Sequence, residues 1–234
     1  MKCLKIKAYQ ETACYKKPYA FKVAETYPLP PYSTIKGLIH YILNAKKFYD
    51  MAISVQGSYE SLIENYQTFR FFKIENNEIT KMPLNVHLLY NVNLLIHIYT
   101  HDDLMHQIYE RLISFSEVLS LGRKEDLLKI SKIKFVEFSE FNTSEKSYDL
   151  KYSAYIPSIY ELSSVDSGTI KYRLNYRYEI SNTGIRNWVE KIDVYYVQSN
   201  VTLYEETIYK DEEDDAIFFH KKVEEVKNSG YDLR

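Results

Sequence analysis

The amino-terminal part of the chain contains two hydrophobic patterns with different periods. Residues 2–9 alternate apolar residues with Lys and Tyr, which predicts a strand with one buried face and one basic face. After a proline-rich connection, apolar residues recur at helical spacing and predict a helix over residues 34–45. Ser33 and Thr34 stand at the start of this helix and are expected to cap it.

The segments that follow repeat the strand and helix signals. We expect strands at residues 51–57, 93–99 and 132–138, a hairpin or extended excursion at 66–90, and a second helix capped by Asp102. The order β-α-β-β-α-β is that of the ferredoxin-like split βαβ unit, which RNA-recognition domains share.

The carboxyl-terminal part contains the most regular alternation in the chain, at residues 170–180 (IKYRLNYRYEI). A turn signal and two further apolar runs, at 188–197 and 201–209, predict a small antiparallel β region. Residues 142–168 are rich in Ser and Tyr without periodicity, and are expected to form a linker or insertion.

These patterns together predict an α+β fold. We expect a ferredoxin-like (RRM-like) RNA-binding domain at residues 1–141 and a β-rich carboxyl-terminal region at residues 142–234.

Composition narrows the class of protein. Of 234 residues, 45% are hydrophobic and 26% are charged, which excludes a globally disordered chain. Cys3 and Cys14 have no zinc-site spacing and cannot staple a chain of this length, so we expect reduced thiols and a cytoplasmic protein. No apolar run reaches the roughly 18 residues of a membrane span, so no membrane partner is expected.

Charge is distributed unevenly along the sequence. Residues 1–50 carry nine lysines against three acidic residues, whereas residues 201–225 carry nine acidic residues against three lysines. This asymmetry predicts a molecule with two different binding faces. The acidic run Asp211–Asp215 could gather Mg²⁺, form a solvated loop or contact a basic partner. We expect no metal and no other cofactor.

Two segments have the chemistry of a phosphate site. A helix start with Ser33, Thr34 and Lys36 offers backbone N–H groups, hydroxyls and a positive charge, although the hydroxyls could instead serve only as caps. A second segment, Gly122, Arg123 and Lys124, would project two cations from a loop, with Glu125 and Asp126 pairing locally.

Further RNA contacts are expected from charge and stacking. Tyr15, Lys16 and Lys17 lie in an early loop, and Arg173 and Arg177 share one face of the regular strand at residues 170–180. The 24 tyrosines are strand formers in one interpretation and stacking surfaces for unpaired bases in the other.

The segments PLPPYSTIKGLIHYIL and SLGRKEDLLKI, taken as a pair, resemble the Cas-five (Cas5) family of CRISPR-associated proteins, which are RAMP-superfamily subunits of type I Cascade complexes. CYKKP, VQGSYES and YRYEI are similar to the type I-B branch. The resemblance spans residues 1–220.

The resemblance implies a ferredoxin-like domain that binds the 5′ handle of the CRISPR RNA. It also implies that the protein caps the Cascade backbone filament and contacts the large subunit, and thereby meets target DNA indirectly. Carried onto this sequence, the loop Gly122, Arg123 and Lys124 would grip the handle, with Ser33, Thr34 and Lys36 nearby.

Some members of the family are metal-independent endoribonucleases that process precursor CRISPR RNA with Tyr, Lys and His side chains. In this sequence Glu125 follows the cation pair where a histidine would be expected. His40 and Tyr41 on the first helix are the remaining candidates. We therefore expect a non-catalytic subunit, with the endoribonuclease as the alternative.

Overall fold

The structure is a computed structural model that describes residues 1–20, 23–160, 169–204 and 206–228. The strands are β1 (Lys2–Ala13), β2 (Tyr15–Lys16), β3 (Val23–Ala24), β4 (Thr26–Tyr27), β5 (Ala52–Ser58), β6 (Ser61–Lys73), β7 (Glu78–Tyr99), β8 (Lys129–Asn142), β9 (Tyr148–Asp149), β10 (Ser153–Pro157), β11 (Ile170–Ile180), β12 (Arg186–Val197), β13 (Thr202–Leu203), β14 (Thr207–Asp211) and β15 (Ala216–Ile217). The helices are α1 (Tyr32–Ile42), α2 (Asp102–Ser114) and α3 (Val223–Asn228), and Ser158–Tyr160 form a 3₁₀ turn.

The fold is α+β, as the sequence predicted, and is built on one large sheet. Within the described residues this sheet has 11 strands and the main order β11-β12-β10-β5-β7-β1-β8-β14-β15. Strands β6 and β3 pair with β7 beside this path. Apart from the parallel β3–β7 pair, its pairings are antiparallel.

The hydrophobic periods locate both predicted helices, but the N-cap of α2 is His101 and not the predicted Asp102, which lies in the first helical turn. Helix α1 buries Ile35, Ile39 and Ile42 against the sheet, and α2 buries Leu104 and Ile108 in the same core. Because the side chains of β1 alternate between faces, the apolar face of β1 (Leu4, Ile6 and Ala8) packs beneath these helices. No described helix combines the length and the hydropathy needed to cross a lipid bilayer.

The predicted excursion at residues 66–90 is a long hairpin. Strand β6 pairs with the first half of β7, from Ser61 opposite Tyr90 to Lys73 opposite Glu78. The second half of β7 continues without a break into the sheet and contains the strand predicted at 93–99, between β1 and β5.

The prediction of a linker or insertion at residues 142–168 is wrong for the part of this segment that joins the large sheet. The segment contains β9, β10 and the 3₁₀ turn, and residues 161–168 lie outside the described part of the chain. Strand β10 pairs with both β5 and β12 and buries Ala154, Tyr155 and Ile156 completely. The sequence pattern did not reveal this core strand because Tyr was counted as polar, whereas a buried Tyr such as Tyr155 contributes a large apolar ring.

The carboxyl-terminal strands extend both edges of the amino-terminal sheet. Strand β10 continues the sheet from β5, and β14 continues it from β8. The predicted division at residues 141 and 142 stays a prediction, and both parts contribute strands to one sheet. Residues 201–209, predicted as one strand, contain β13 and the start of β14.

Candidate nucleic-acid interface

An open cleft of about 770 Å³ lies between the start of α1, the segment that follows α1 and the β11–β12 hairpin. This volume is typical of ligand-binding clefts. The charged side chains among its described lining residues are all basic: Lys16, Lys36, Lys46, Lys47 and Arg186. No Asp or Glu belongs to that described lining, so the cleft favours an anionic ligand.

Helix α1 forms one wall of the cleft, and a proline sets its start. Pro31 is the N-cap residue, and no side chain caps the helix. Ser33 and Thr34 lie inside the first helical turn, so the prediction that they cap the helix is wrong. Both are half-buried and line the cleft, and their predicted contact with RNA stays a prediction.

Lys36 lies in the floor of the cleft. Its side chain is buried, and its Nζ donates a hydrogen bond to the backbone oxygen of Tyr176. The same Nζ lies 4.8 Å from the ring centre of Phe48 and 4.7 Å from that of Tyr176. Burial lowers the pKa of Lys36 to about 8. Lys36 is therefore not the exposed cation that the helix pattern predicted, because aromatic rings and a carbonyl enclose it and join α1 to β11.

The β11–β12 hairpin forms the opposite wall. Tyr178 and Trp188 are cross-strand partners whose ring centres lie 5.4 Å apart, with the ring planes at 78°. The guanidinium carbon of Arg186 lies 4.7 Å from the Tyr178 ring centre. This wall thus presents aromatic and cationic side chains together, the combination that binds single-stranded nucleic acid.

Sequence reasoning missed four residues of this cleft: Lys46, Lys47, Arg186 and Trp188. All four are exposed. The signals available in the sequence were two adjacent lysines after the first helix and the single Trp of the chain. Neither signal shows that the hairpin folds beside α1, since that contact joins segments about 140 residues apart.

The two candidate residues for nuclease chemistry, His40 and Tyr41, lie in different environments. His40 lines the cleft, and its Nε2 lies 3.4 Å from both the backbone N and the backbone O of Tyr49. Burial lowers the pKa of His40, which favours the neutral imidazole. Tyr41 is exposed, and its hydroxyl donates a 2.6 Å hydrogen bond to Oε2 of Glu117, outside the cleft.

The loop predicted to bind RNA, Gly122, Arg123 and Lys124, is held in place by hydrogen bonds to Asp126. We call the contacts of Gly122 and Arg123 with Asp126 the latch. The guanidinium of Arg123 donates to the buried Asp126 carboxylate, with Nη2 at 2.6 Å from Oδ1 and Nε at 3.1 Å from Oδ2. Its Nη1 also contacts Gln67 at 3.1 Å. The expected local pairing is confirmed. The expected projection of Arg123 into solvent is wrong, because the carboxylate holds its side chain to 14% exposure.

Gly122 makes the latch possible. It has φ of 104°, and a Cβ at this position would lie 2.9 Å from the backbone oxygen of Cys14 and 3.0 Å from Oδ2 of Asp126. The same carboxylate accepts a hydrogen bond from the Cys14 N–H. The close approach that glycine permits is therefore to Cys14 and Tyr15, which directly follow β1. Lys124, in contrast, is exposed and stays a predicted RNA contact.

The residues of the early loop, Tyr15, Lys16 and Lys17, also differ in their exposure and contacts. Tyr15 is buried and donates a 2.6 Å hydrogen bond to Gln10, so it is not the stacking surface that the sequence predicted. Lys16 is exposed and lines the cleft. Lys17 forms an exposed ion pair with Glu25 at 3.2 Å.

The arginines of β11 lie outside the lining of the cleft. Arg173 pairs with Asp193 through two hydrogen bonds of 2.8 and 3.0 Å. The guanidinium of Arg177 lies 4.8 Å from the Phe48 ring centre and 3.5 Å from Glu179. Register shifts on both sides of Arg177 interrupt the regular alternation there. Their predicted RNA contacts stay predictions.

The acidic run Asp211–Asp215 has an internal cation. Oxygen atoms of Asp211, Glu213 and Asp215 all lie within 4.8 Å of one another, and the Nζ of Lys5 lies 2.5, 2.8 and 2.6 Å from them. The prediction of a solvated loop is wrong, because Lys5, Asp211 and Asp215 are buried. The Lys5 ammonium takes the place that a metal ion would have among these carboxylates.

This cluster also corrects the expectation of two oppositely charged faces. The basic strand β1 and the acidic turn between β14 and β15 face each other and neutralise part of the asymmetry. Lys132 and Lys134 on β8 add ion pairs to Glu213. Of the basic residues before residue 50, Lys16, Lys36, Lys46 and Lys47 line the cleft instead of this cluster.

Comparison with protein families identifies the chain. Residues 3–198 match the model of a family described as CRISPR-associated protein (Cas_Cas5). The chain belongs to the Cas5 family. The resemblance to the Cas5 family is thereby confirmed, and the role of this Cas5 protein lies in CRISPR defence.

One solved structure shows a similar fold, and two others are weaker matches. The Cas5 chain superposes on a chain of a structure titled CRISPR RNA-guided surveillance complex with a TM-score of 0.58 and 9% identity, over 86% of this chain and 91% of the other. A CRISPR protein from Archaeoglobus fulgidus gives 0.46 and 11%, over 93% and 98%. A chain of the type III-B Cmr-beta complex bound to cognate target RNA and AMPPnP gives 0.46 and 10%, over 97% and 90%. No match was found among curated proteins.

Proposed function

We propose that this Cas5 protein is a non-catalytic RNA-binding subunit of a type I-B Cascade complex in the cytoplasm. It binds the 5′ handle of the CRISPR RNA, caps the backbone filament and contacts the large subunit, and so meets target DNA indirectly. The observation that carries the proposal is the cleft whose described charged residues are all cations.

The sheet supports a ferredoxin-like arrangement of the amino-terminal part. Strands β8, β1, β7 and β5 are consecutive neighbours in the sheet, α1 connects β1 to β5, and α2 connects β7 to β8. This is the connectivity of a split βαβ unit, with the β6–β7 hairpin inserted between its second and third strands.

The latch and the cleft are connected through β2. Asp126 accepts a hydrogen bond from Cys14, and Lys16, two residues later, lines the cleft. In the proposal Gly122 and Arg123 fix the position of the loop. Lys124 and Lys16 then supply positive charge on its outer side, while Ser33 and Thr34 supply hydroxyl groups at the helix start. RNA phosphates are the anions that such a surface binds.

The first prediction concerns the cations of the cleft. Lys46→Glu combined with Lys47→Glu should reduce the CRISPR RNA that co-purifies with the assembled complex at least about tenfold, and wild-type retention should fall steeply with salt. The matched control is Lys73→Glu with Lys81→Glu, which makes the same charge change at exposed positions of the β6–β7 hairpin, outside the cleft.

RNA would be quantified per complex, with subunit stoichiometry measured by densitometry. Equal RNA retention in the cleft variant and its control would contradict the proposal. Loss of RNA in both would show that net charge, and not the cleft, governs retention.

The endoribonuclease is the second candidate, and His40 is the observation that favours it. Its imidazole and the Lys36 ammonium, with its pKa of about 8, lie one helical turn apart at the cleft, and such groups can transfer protons near neutral pH. The enclosure of Lys36 and the outward position of Tyr41 oppose it.

The second prediction is therefore that purified protein leaves end-labelled repeat RNA intact in EDTA, as judged on a sequencing gel. A discrete cut at the repeat boundary that disappears with His40→Ala would establish the nuclease instead. Tyr41→Phe is the matched control, because this hydroxyl is bonded to Glu117 outside the cleft.

A further inference from the structure

We propose that the cleft holds an unpaired nucleotide whose base stacks on Trp188. This inference rests on the RNA-binding function proposed above. It adds a position for one base, and it requires the strand to be single at that position.

The Trp188 ring is exposed and oriented. It is 37% exposed and lines the cleft. Its cross-strand partner Tyr178 meets it at 78° and fixes the plane of the indole. Arg186 lies 4.7 Å from the Tyr178 ring centre, so the tyrosine is itself packed against a cation. Trp188 is thus the ring of this pair with surface left for a ligand.

The cations of the opposite wall suit the other end of a nucleotide. Lys46 and Lys47 follow α1, are exposed and line the same cleft as Trp188. A nucleotide has a flat aromatic base at one end and a phosphate at the other, and the cleft offers a ring and ammonium groups on facing walls. Stacking on aromatic side chains tolerates any base, because every base has a π face.

The same arrangement selects against a duplex. Paired bases stack on each other, so their faces are closed to a protein ring, whereas an unpaired base can be splayed out onto it. An apolar peptide segment could also cover the indole. It would not use Lys46 and Lys47, so the response of binding to charge separates these two occupants.

The test uses the single Trp of the chain, because wild-type Trp fluorescence reports on this ring alone. The probes are single-stranded oligoadenylate and the duplex that it forms with oligouridylate, at equal phosphate concentration, added to the full-length protein. We expect the single strand to quench Trp188 and the duplex to leave its emission unchanged.

Affinity would be measured by anisotropy of the labelled probe. Trp188→Ser should weaken binding of the single strand about fivefold to a hundredfold, and Trp188→Tyr should restore most of the loss. Val189→Ser is the matched control, since Val189 is the next residue of β12, is exposed and does not line the cleft.

The possible results distinguish the stacking inference from the proposed RNA-binding function. Quenching by the duplex as strong as that by the single strand overturns the inference. Unchanged affinity in Trp188→Ser, together with lost affinity in the Lys46→Glu and Lys47→Glu variant, overturns stacking and leaves the proposed function standing. Absence of binding by wild type overturns both. Should Trp188→Ser fail to unfold cooperatively, the wild-type quench and the Trp188→Tyr affinity decide.

Discussion

At the scale of single residues, a cationic side chain in a motif typical of phosphate binding can instead form its contacts within the protein. Arg123 has the sequence context of a phosphate contact, yet its guanidinium donates to Asp126 and Gln67. Asp126 is fully buried and also accepts from the Cys14 N–H. A buried carboxylate requires such donors, so the pairing has a structural cause.

We predict that Asp126→Asn lowers the free energy of unfolding by about 3–5 kcal/mol, because it leaves a largely buried guanidinium without its counter-ion. Glu125→Gln is the matched control: Glu125 also contacts Arg123, at 3.2 Å, but is exposed, so its loss should cost less than about 1 kcal/mol. Urea denaturation measures both. Similar values for the two variants would show that the latch contributes no more than a surface ion pair.

At the scale of elements, β1 is covered on both of its faces. Leu4 and Ile6 pack beneath the helices, while Cys3 and Lys5 face residues of the carboxyl-terminal part. Burial by itself raises the pKa of Asp211, but hydrogen bonds from His97 and Lys5 hold that pKa well below its ordinary value. Hydrogen bonds from Lys134 and Lys5 lower the pKa of Glu213 to about 2.

A carboxyl group whose pKa is lower in the folded protein stabilises the fold above its unfolded pKa, and that stabilisation disappears as pH falls through the folded pKa. For Glu213 the window runs from pH 4.5 down to about 2, and Asp211 shifts in the same direction. The wild-type protein should therefore lose stability in acid across this window.

We predict that Lys5→Met destabilises the protein by about 3–5 kcal/mol at pH 7, since it leaves carboxylates buried without their cation. The deficit relative to wild type should shrink as pH falls below 4.5, because protonated carboxyls no longer require that cation. Lys7→Met is the control, since Lys7 is more exposed and lies 3.8 Å from Asp215. Urea denaturation across this pH range measures both, and a deficit independent of pH would contradict the proposed ion cluster.

At the scale of the whole molecule, the cleft is made by segments that are distant in sequence. Helix α1 and Lys46 belong to the first 50 residues, whereas Arg186 and Trp188 belong to a hairpin near the end of the chain. That hairpin reaches α1 because β10, between β5 and β12, carries it along the sheet edge. Missing β10 in the sequence therefore also meant missing one wall of the site.

The sequence by itself determined the fold class, helices α1 and α2, the long hairpin and the family. Those features follow from local periodicity, as in Ile35, Ile39 and Ile42 of α1, or from contiguous motifs. The tertiary structure alone decided which cations are available to a ligand. The sequence shows which side chains are charged, but the exposure of each side chain depends on partners that the fold brings to it. Asp126 binds Arg123, aromatic rings around β11 enclose Lys36 and the acidic turn binds Lys5, while Lys46 stays exposed at the cleft.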